Sequence, residues 1–80
     1  MTIQNAVIDR IQGLIRERDY TVNETAVYSG VPPSTLKNIL YGESKNIGII
    51  TIKKICDGLD ISIQDFFTDM IFHGLEQEIE

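Results

Sequence analysis

Apolar residues near the start of the chain recur at helical steps: Val7, Ile8, Ile11, Leu14 and Ile15 share one face, with polar residues between them. The spacing predicts a first helix with Asn5 as its N-cap and an end near Asp19. Gly13 inside it carries a local cost of up to about 1 kcal/mol relative to Ala. The next start signal is Thr21-Val22-Asn23-Glu24. This is a capping box, in which the Thr hydroxyl accepts from the third helical amide while Glu24 reaches back. The helix it opens is short, because Ser29-Gly30 stops it and Val31-Pro32-Pro33 follows. Pro33 suits the first position of a third helix, where a missing N–H costs nothing. That helix runs from Ser34 to about Tyr41 and ends at Gly42, a favoured residue just past a helix end.

A polar loop, Glu43 to Gly48, comes next. The β-branched run that follows it has some strand character. Ile49, Ile52, Ile55, Cys56 and Leu59 keep helical spacing over more than two turns, however, and predict a fourth helix. Ser62 is the expected N-cap of a fifth. Ile63, Phe66, Phe67, Met70 and Ile71 follow at i, i+3, i+4, i+7 and i+8, the clearest amphipathic pattern in the chain, and predict a helix reaching residue 71. Five helices with short links and no strand pair make the fold class all-α.

Eighty residues hold a single core. With 42% hydrophobic and 24% charged residues the composition is that of a globular domain rather than a disordered chain. No apolar run approaches the roughly 20 residues of a membrane span, and the N-terminus shows no secretory signal. Cys56 is the only cysteine, so no internal disulfide or cysteine-based metal site forms, and a reducing, cytoplasmic setting is expected. Net charge is −5, unevenly spread. Residues 1–54 carry all seven Lys and Arg against five acids, whereas residues 55–80 carry seven acids and no Lys or Arg. Such asymmetry suggests a partner for one end and an opposing or solubilising role for the other.

Two short helices separated by Gly30-Val31-Pro32 match a helix-turn-helix in length and turn chemistry. At about 100° per residue, Leu36, Ile39 and Leu40 share one arc of the second helix, while Ser34, Lys37, Asn38 and Tyr41 share the other. The outward arc holds a hydroxyl, a cation, an amide and a phenol, with no acid. These groups suit base edges and phosphates in a major groove, and a helix N-terminus favours phosphate through its free amides.

The run from Glu24 to Gly42 (ETAVYSGVPPSTLKNILYG) resembles the phage-repressor helix-turn-helix of the Cro/cI, or XRE, family. The likeness continues through Asn46–Leu59 and Asp65-Phe66-Phe67, covering roughly residues 5–70. It rests on Ala26, Gly30, Val31, Ser34-Thr35-Leu36, Gly42, Leu59 and Phe66-Phe67 at family spacing. The resemblance implies a five-helix, lambda-repressor-like domain at residues 1–70 whose third helix enters the major groove, with residues 71–80 as an acidic extension. By family position, bases are read by Pro33, Ser34, Thr35, Lys37 and Asn38. Phosphates are held by Thr21, Val22 (through its amide), Asn23, Tyr41, Lys45 and Asn46. Four departures stand out. Thr25 occupies a usually apolar position and predicts looser packing between the second and third helices. Glu43 occupies an often basic one and would repel phosphate. Pro33 offers no donor to a base. Asp60 replaces a common Gly, so either it is left-handed or that turn differs.

Other chemistry is thin. His73, the single histidine, has no nucleophile at helical spacing and reads as a surface or interface residue. Cys56 lies on an apolar stripe and reads as a small core residue. Asp65 and Asp69 lie one turn apart without further ligands. Lys53 and Lys54 read either as phosphate contacts or as a solvated face. No phosphate-cradling Gly-rich loop is present. The chain therefore reads as a non-enzyme without cofactor or metal.

The expected partner is double-stranded DNA, bound in the nucleoid by a bacterial or phage-like transcriptional regulator that represses by occluding a promoter. Met70, Ile71, Phe72 and Leu75 are more apolar surface than one small core is expected to cover. They either form a homodimer contact, placing two recognition helices about 34 Å apart, or fold back on the first helix. The alternative function is a protein-interaction module, an antitoxin or antirepressor partner, that uses the acidic apolar C-terminal helix.

Overall fold

In the computed structural model, which describes residues 1–79, helices follow one another without a strand: α1 (Ile3–Glu17), α2 (Val22–Ser29), α3 (Pro33–Leu40), α4 (Ile49–Gly58) and α5 (Ile63–Phe67), then a 3₁₀ turn at Met70–Phe72. Glu80, the last residue of the acidic extension, lies outside the described residues. Among those described, no helix is long and apolar enough to cross a membrane.

The first helix begins earlier than expected. Its N-cap is Thr2, not Asn5: the Thr2 hydroxyl accepts from the Asn5 amide at 3.2 Å. Both residue types cap well, and the extra turn lets Ile3 pack against the core. The α1 stripe from Ala6 to Ile15 is buried in the shared core, and α1 packs against α3 and the 3₁₀ turn.

Two helix ends use aspartate where glycine is usual. Asp19 (φ 55°) and Asp60 (φ 54°) are both left-handed, a conformation that Asp tolerates better than most residues. Each lets the following amide return to the helix, Tyr20 to the Ile15 carbonyl at 3.1 Å and Ile61 to that of Cys56 at 3.0 Å. Asp60 thus keeps the turn that a glycine would give.

The predicted fifth helix through residue 71 is not formed. It stops at Phe67, so Met70 and Ile71 leave its stripe. In a continuing helix the carbonyls of Asp65 and Phe66 would accept from residues 69 and 70. Here the Phe66 carbonyl accepts from Arg10 at 2.9 Å, and that of Asp65 accepts from Arg10 at 3.1 Å and from the Thr68 hydroxyl at 3.0 Å. Asp69 turns extended, pairs with Arg10 at 3.2 Å, and accepts from the Ile71 amide to start the 3₁₀ turn. Among the described residues the acidic C-terminal segment forms no α-helix.

The residues after the 3₁₀ turn return towards the start of α1. Phe72 packs against Phe67 and Phe66, with ring centroids 4.9 and 5.8 Å away. The Glu76 amide donates to the Met1 carbonyl at 3.1 Å, and the Met1 ammonium pairs with the Glu76 carboxylate at 3.0 Å.

Candidate nucleic-acid interface

The capping box of α2 is complete. Thr21 Oγ1 accepts from the Glu24 amide at 3.0 Å and Glu24 Oε1 accepts from the Thr21 amide at 2.8 Å. The Thr21 N–H is thereby occupied. Among the first-turn amides, those of Val22 and Asn23 lack an acceptor within the helix. The turn after α2 closes on Gly30 (φ 66°), whose amide and that of Val31 return to the carbonyls of Val27 and Ala26. Val31 is buried and fixes the approach of α3. Thr25 does not loosen this packing as expected. It is fully buried, and its hydroxyl donates to the Thr21 carbonyl at 2.9 Å, so its polarity is met inside its own helix.

Pro33 opens α3, and the first backbone return is from Leu36 to the Pro32 carbonyl at 3.1 Å. The amides of Ser34 and Thr35 are consequently available at the helix start. Leu36 and Ile39 are buried, whereas Pro33, Ser34, Lys37 and Asn38 are exposed and Thr35 is half-buried. Tyr41 is 74% exposed, so its ring is not packed away beside Gly42. No intramolecular hydrogen bond or ion pair among the described residues engages the side chains of Ser34, Lys37 or Asn38. The outward face predicted from the helical wheel is thus open to a partner.

The loop after α3 is held at its start. Gly42 (φ 80°) returns its amide to the Ile39 carbonyl and Glu43 returns its own to that of Asn38, at 3.1 and 2.9 Å. Gln4, from α1, donates through Nε2 to the carbonyls of Ser44 at 2.8 Å and Gly42 at 3.2 Å. Lys45 and Asn46 follow, both exposed. They border a groove of about 180 Å³ whose wall also includes Gln4, Ile47 and Glu78. Gln4 was not singled out from the sequence: its partners lie 38 and 40 residues away, and no local signal marks it.

The cations divide into two groups. Arg10 holds the end of α5, Arg18 Nε donates to the Leu59 carbonyl, and Lys53 pairs with Asp57 one turn on. Lys53 is therefore engaged on its own helix. Arg16, Lys37, Lys45 and Lys54 have no carboxylate partner among the described residues. Glu43 is exposed in the same loop as Lys45.

The family model for the Cro/C1-type helix-turn-helix DNA-binding domain matches residues 10–70. The chain belongs to that family. Its Cro/C1-type domain is similar to a solved structure, the crystal structure of the prophage Lp1 protein 11, with 32% sequence identity and a TM-score of 0.79. The likeness covers 94% of this chain and 99% of that one. No curated protein matches. The α2–turn–α3 unit is accordingly the helix-turn-helix of a DNA-binding domain.

Outside this unit, Cys56 is buried and desolvation pushes its thiol above its ordinary pKa. His73 is exposed. Asp69 is committed to Arg10 and to the 3₁₀ turn, and no group of three or more metal-ligating side chains converges among the described residues.

Proposed function

We propose that this Cro/C1-type protein is a sequence-specific double-stranded DNA-binding repressor, acting by occlusion of a promoter in a bacterium or prophage. The observation that carries the reading is the outward face of α3, where Ser34, Lys37 and Asn38 stand exposed and their side chains have no partner among the described residues. With Pro33 and Thr35 they enter the major groove. Asn38 pairs with adenine and Lys37 with guanine, while the small hydroxyls adapt to either. Pro33 contributes van der Waals contact alone. Phosphates are held by the amides of Val22 and Asn23, by the hydroxyl of Thr21, and by Tyr41, Lys45 and Asn46.

A two-fold dimer places two α3 helices about one DNA turn apart. Its contact is built around Met70, which is 76% exposed, with Ile71 and Leu75 half-buried beside it. Phe72, by contrast, folds back onto Phe66 and Phe67 of its own core and is left with only part of its surface for the contact.

Selection of bound duplexes from a random library, followed by anisotropy on the winner across salt, tests the proposal. An enriched motif with at least about a thousandfold preference over random duplex is expected, with two half-sites if the dimer binds. Weak binding without a motif would overturn it. That outcome would favour a protein-interaction role for the acidic segment, which carries the 81%-exposed Ile79 among its acids.

A further inference from the structure

The loop that carries Lys45 and Asn46 has few ties of its own. Its first residues close the end of α3 through the Gly42 and Glu43 amides. At its far end Ile47 packs against the core, while the N-cap of α4, Gly48, offers no side-chain cap. Between these ends the Gly42 and Ser44 carbonyls belong to half-buried residues. Both carbonyls are taken by one group, the carboxamide of Gln4, at 3.2 and 2.8 Å. Gln4 sits one helical turn before the buried Ile8 on α1, which packs against α3, so the loop and the recognition helix share one reference frame.

We infer that Gln4 is a positioning residue for DNA binding: its carboxamide fixes the loop so that Lys45 and Asn46 meet the phosphate backbone in register with α3. The inference rests on the phosphate role proposed for that loop. An amide suits the task because its two N–H groups serve two carbonyls at once. A carboxylate there would repel both carbonyls and place a negative charge beside the phosphates. Gln4 itself touches no DNA. It acts on sequence-independent affinity and leaves base reading to α3.

The test is a cycle of Gln4→Met, Lys45→Ala and the double variant. Anisotropy is read on the selected duplex and on a random duplex from low to high salt. Gln4→Met keeps side-chain length and removes both donors. It is expected to weaken both duplexes by a similar factor of about three to ten, the loss of one or two hydrogen bonds. The slope of log K against log salt should also fall by up to about 0.9, one phosphate contact. In the double variant the losses should add only in part, because Gln4 works through Lys45 as well as Asn46. Amide heteronuclear NOEs should fall for residues 43–46 and stay unchanged at Val7 and Leu36.

Two results separate the levels of the argument. If Lys45→Ala leaves the salt slope unchanged, the phosphate role of the loop is wrong and the inference goes with it. If Lys45→Ala lowers the slope but Gln4→Met changes only the melting temperature, or its loss adds fully to that of Lys45→Ala, Gln4 is merely structural. Unchanged loop NOEs in Gln4→Met would likewise overturn the inference.

Discussion

Gly58 and Ser29 bring α4 and α2 into backbone contact. A Cβ at Gly58 would lie 2.2 Å from Ser29 Oγ, 2.7 Å from its amide nitrogen and 2.8 Å from its Cα. No methyl group fits there. Gly58→Ala should force the two helices apart and cost at least about 1–3 kcal/mol, as overpacking does. Thermal melting by circular dichroism measures it, each kcal/mol being worth about 4–8 °C in a domain of this size. Ser29→Gly should not rescue Gly58→Ala, because two of the three clashing atoms are backbone. A full rescue would show that the helices are not locked at this point.

Ser29 Oγ is buried and has no hydrogen-bond partner among the described residues. Removing an unsatisfied buried hydroxyl relieves a desolvation cost. Ser29→Ala alone should therefore be neutral or stabilising by about 1 kcal/mol. A loss above about 1 kcal/mol in urea unfolding would mean that the hydroxyl is satisfied after all.

Gly13 is the opposite case. It lies inside α1, and nothing is within 4 Å of a Cβ built on it. Gly13→Ala should raise stability by about 0.5–1 kcal/mol through helix propensity and lost freedom of the unfolded chain. Its DNA affinity should match that of the parent.

Arg10 joins α1 to the end of α5 through two carbonyls and Asp69, with its guanidinium 5.9 Å from the Phe66 ring centre. Its side chain is only 16% exposed. Arg10→Met keeps most of the stem while removing the donors, and should cost about 2 kcal/mol, the scale of charge-assisted hydrogen bonds. Hydrogen exchange should quicken first in residues 65–73, where the amides depend on that anchor. Uniform quickening across the chain would argue against a local role.

The fold was legible wherever the deciding signal lay within a few residues. The Thr21–Glu24 box, Gly30, Pro33 and Gly42 each act on their own turn, and the helix-turn-helix they frame forms where they place it. The outward face of α3 followed from spacing alone. Other features depended on residues distant in sequence. Arg10, 56 residues away, meets the Phe66 carbonyl that the amphipathic pattern had assigned to helix, beside a local closure of the Asp65 carbonyl by Thr68. Gln4 reaches the loop across about 40 residues. Thr25 shows a third situation. Looser packing was expected from a hydroxyl at a usually apolar position, although a carbonyl four residues back accepts from it.

Cys56 predicts behaviour at alkaline pH. Burial raises its thiol pKa above the unfolded value. The native state thus holds the proton longer, and its contribution is full below the unfolded pKa and is lost as pH rises through the folded one. Stability should fall on the alkaline side, and Cys56→Ala should flatten that limb while lowering stability at every pH through the cavity it leaves. Parallel curves for the two proteins would rule out this source.

The division of the cations bears on how the protein finds its site. With Arg10, Arg18 and Lys53 engaged internally, at most four Lys or Arg side chains per chain remain to displace counterions, set against twelve acids. Non-specific attraction to DNA scales with such displacement, so under the proposed function each encounter with random sequence should be short. The search should then run by brief hops rather than long slides, and occupancy of a site should depend on copy number and on how slowly the proposed α3 contacts let go.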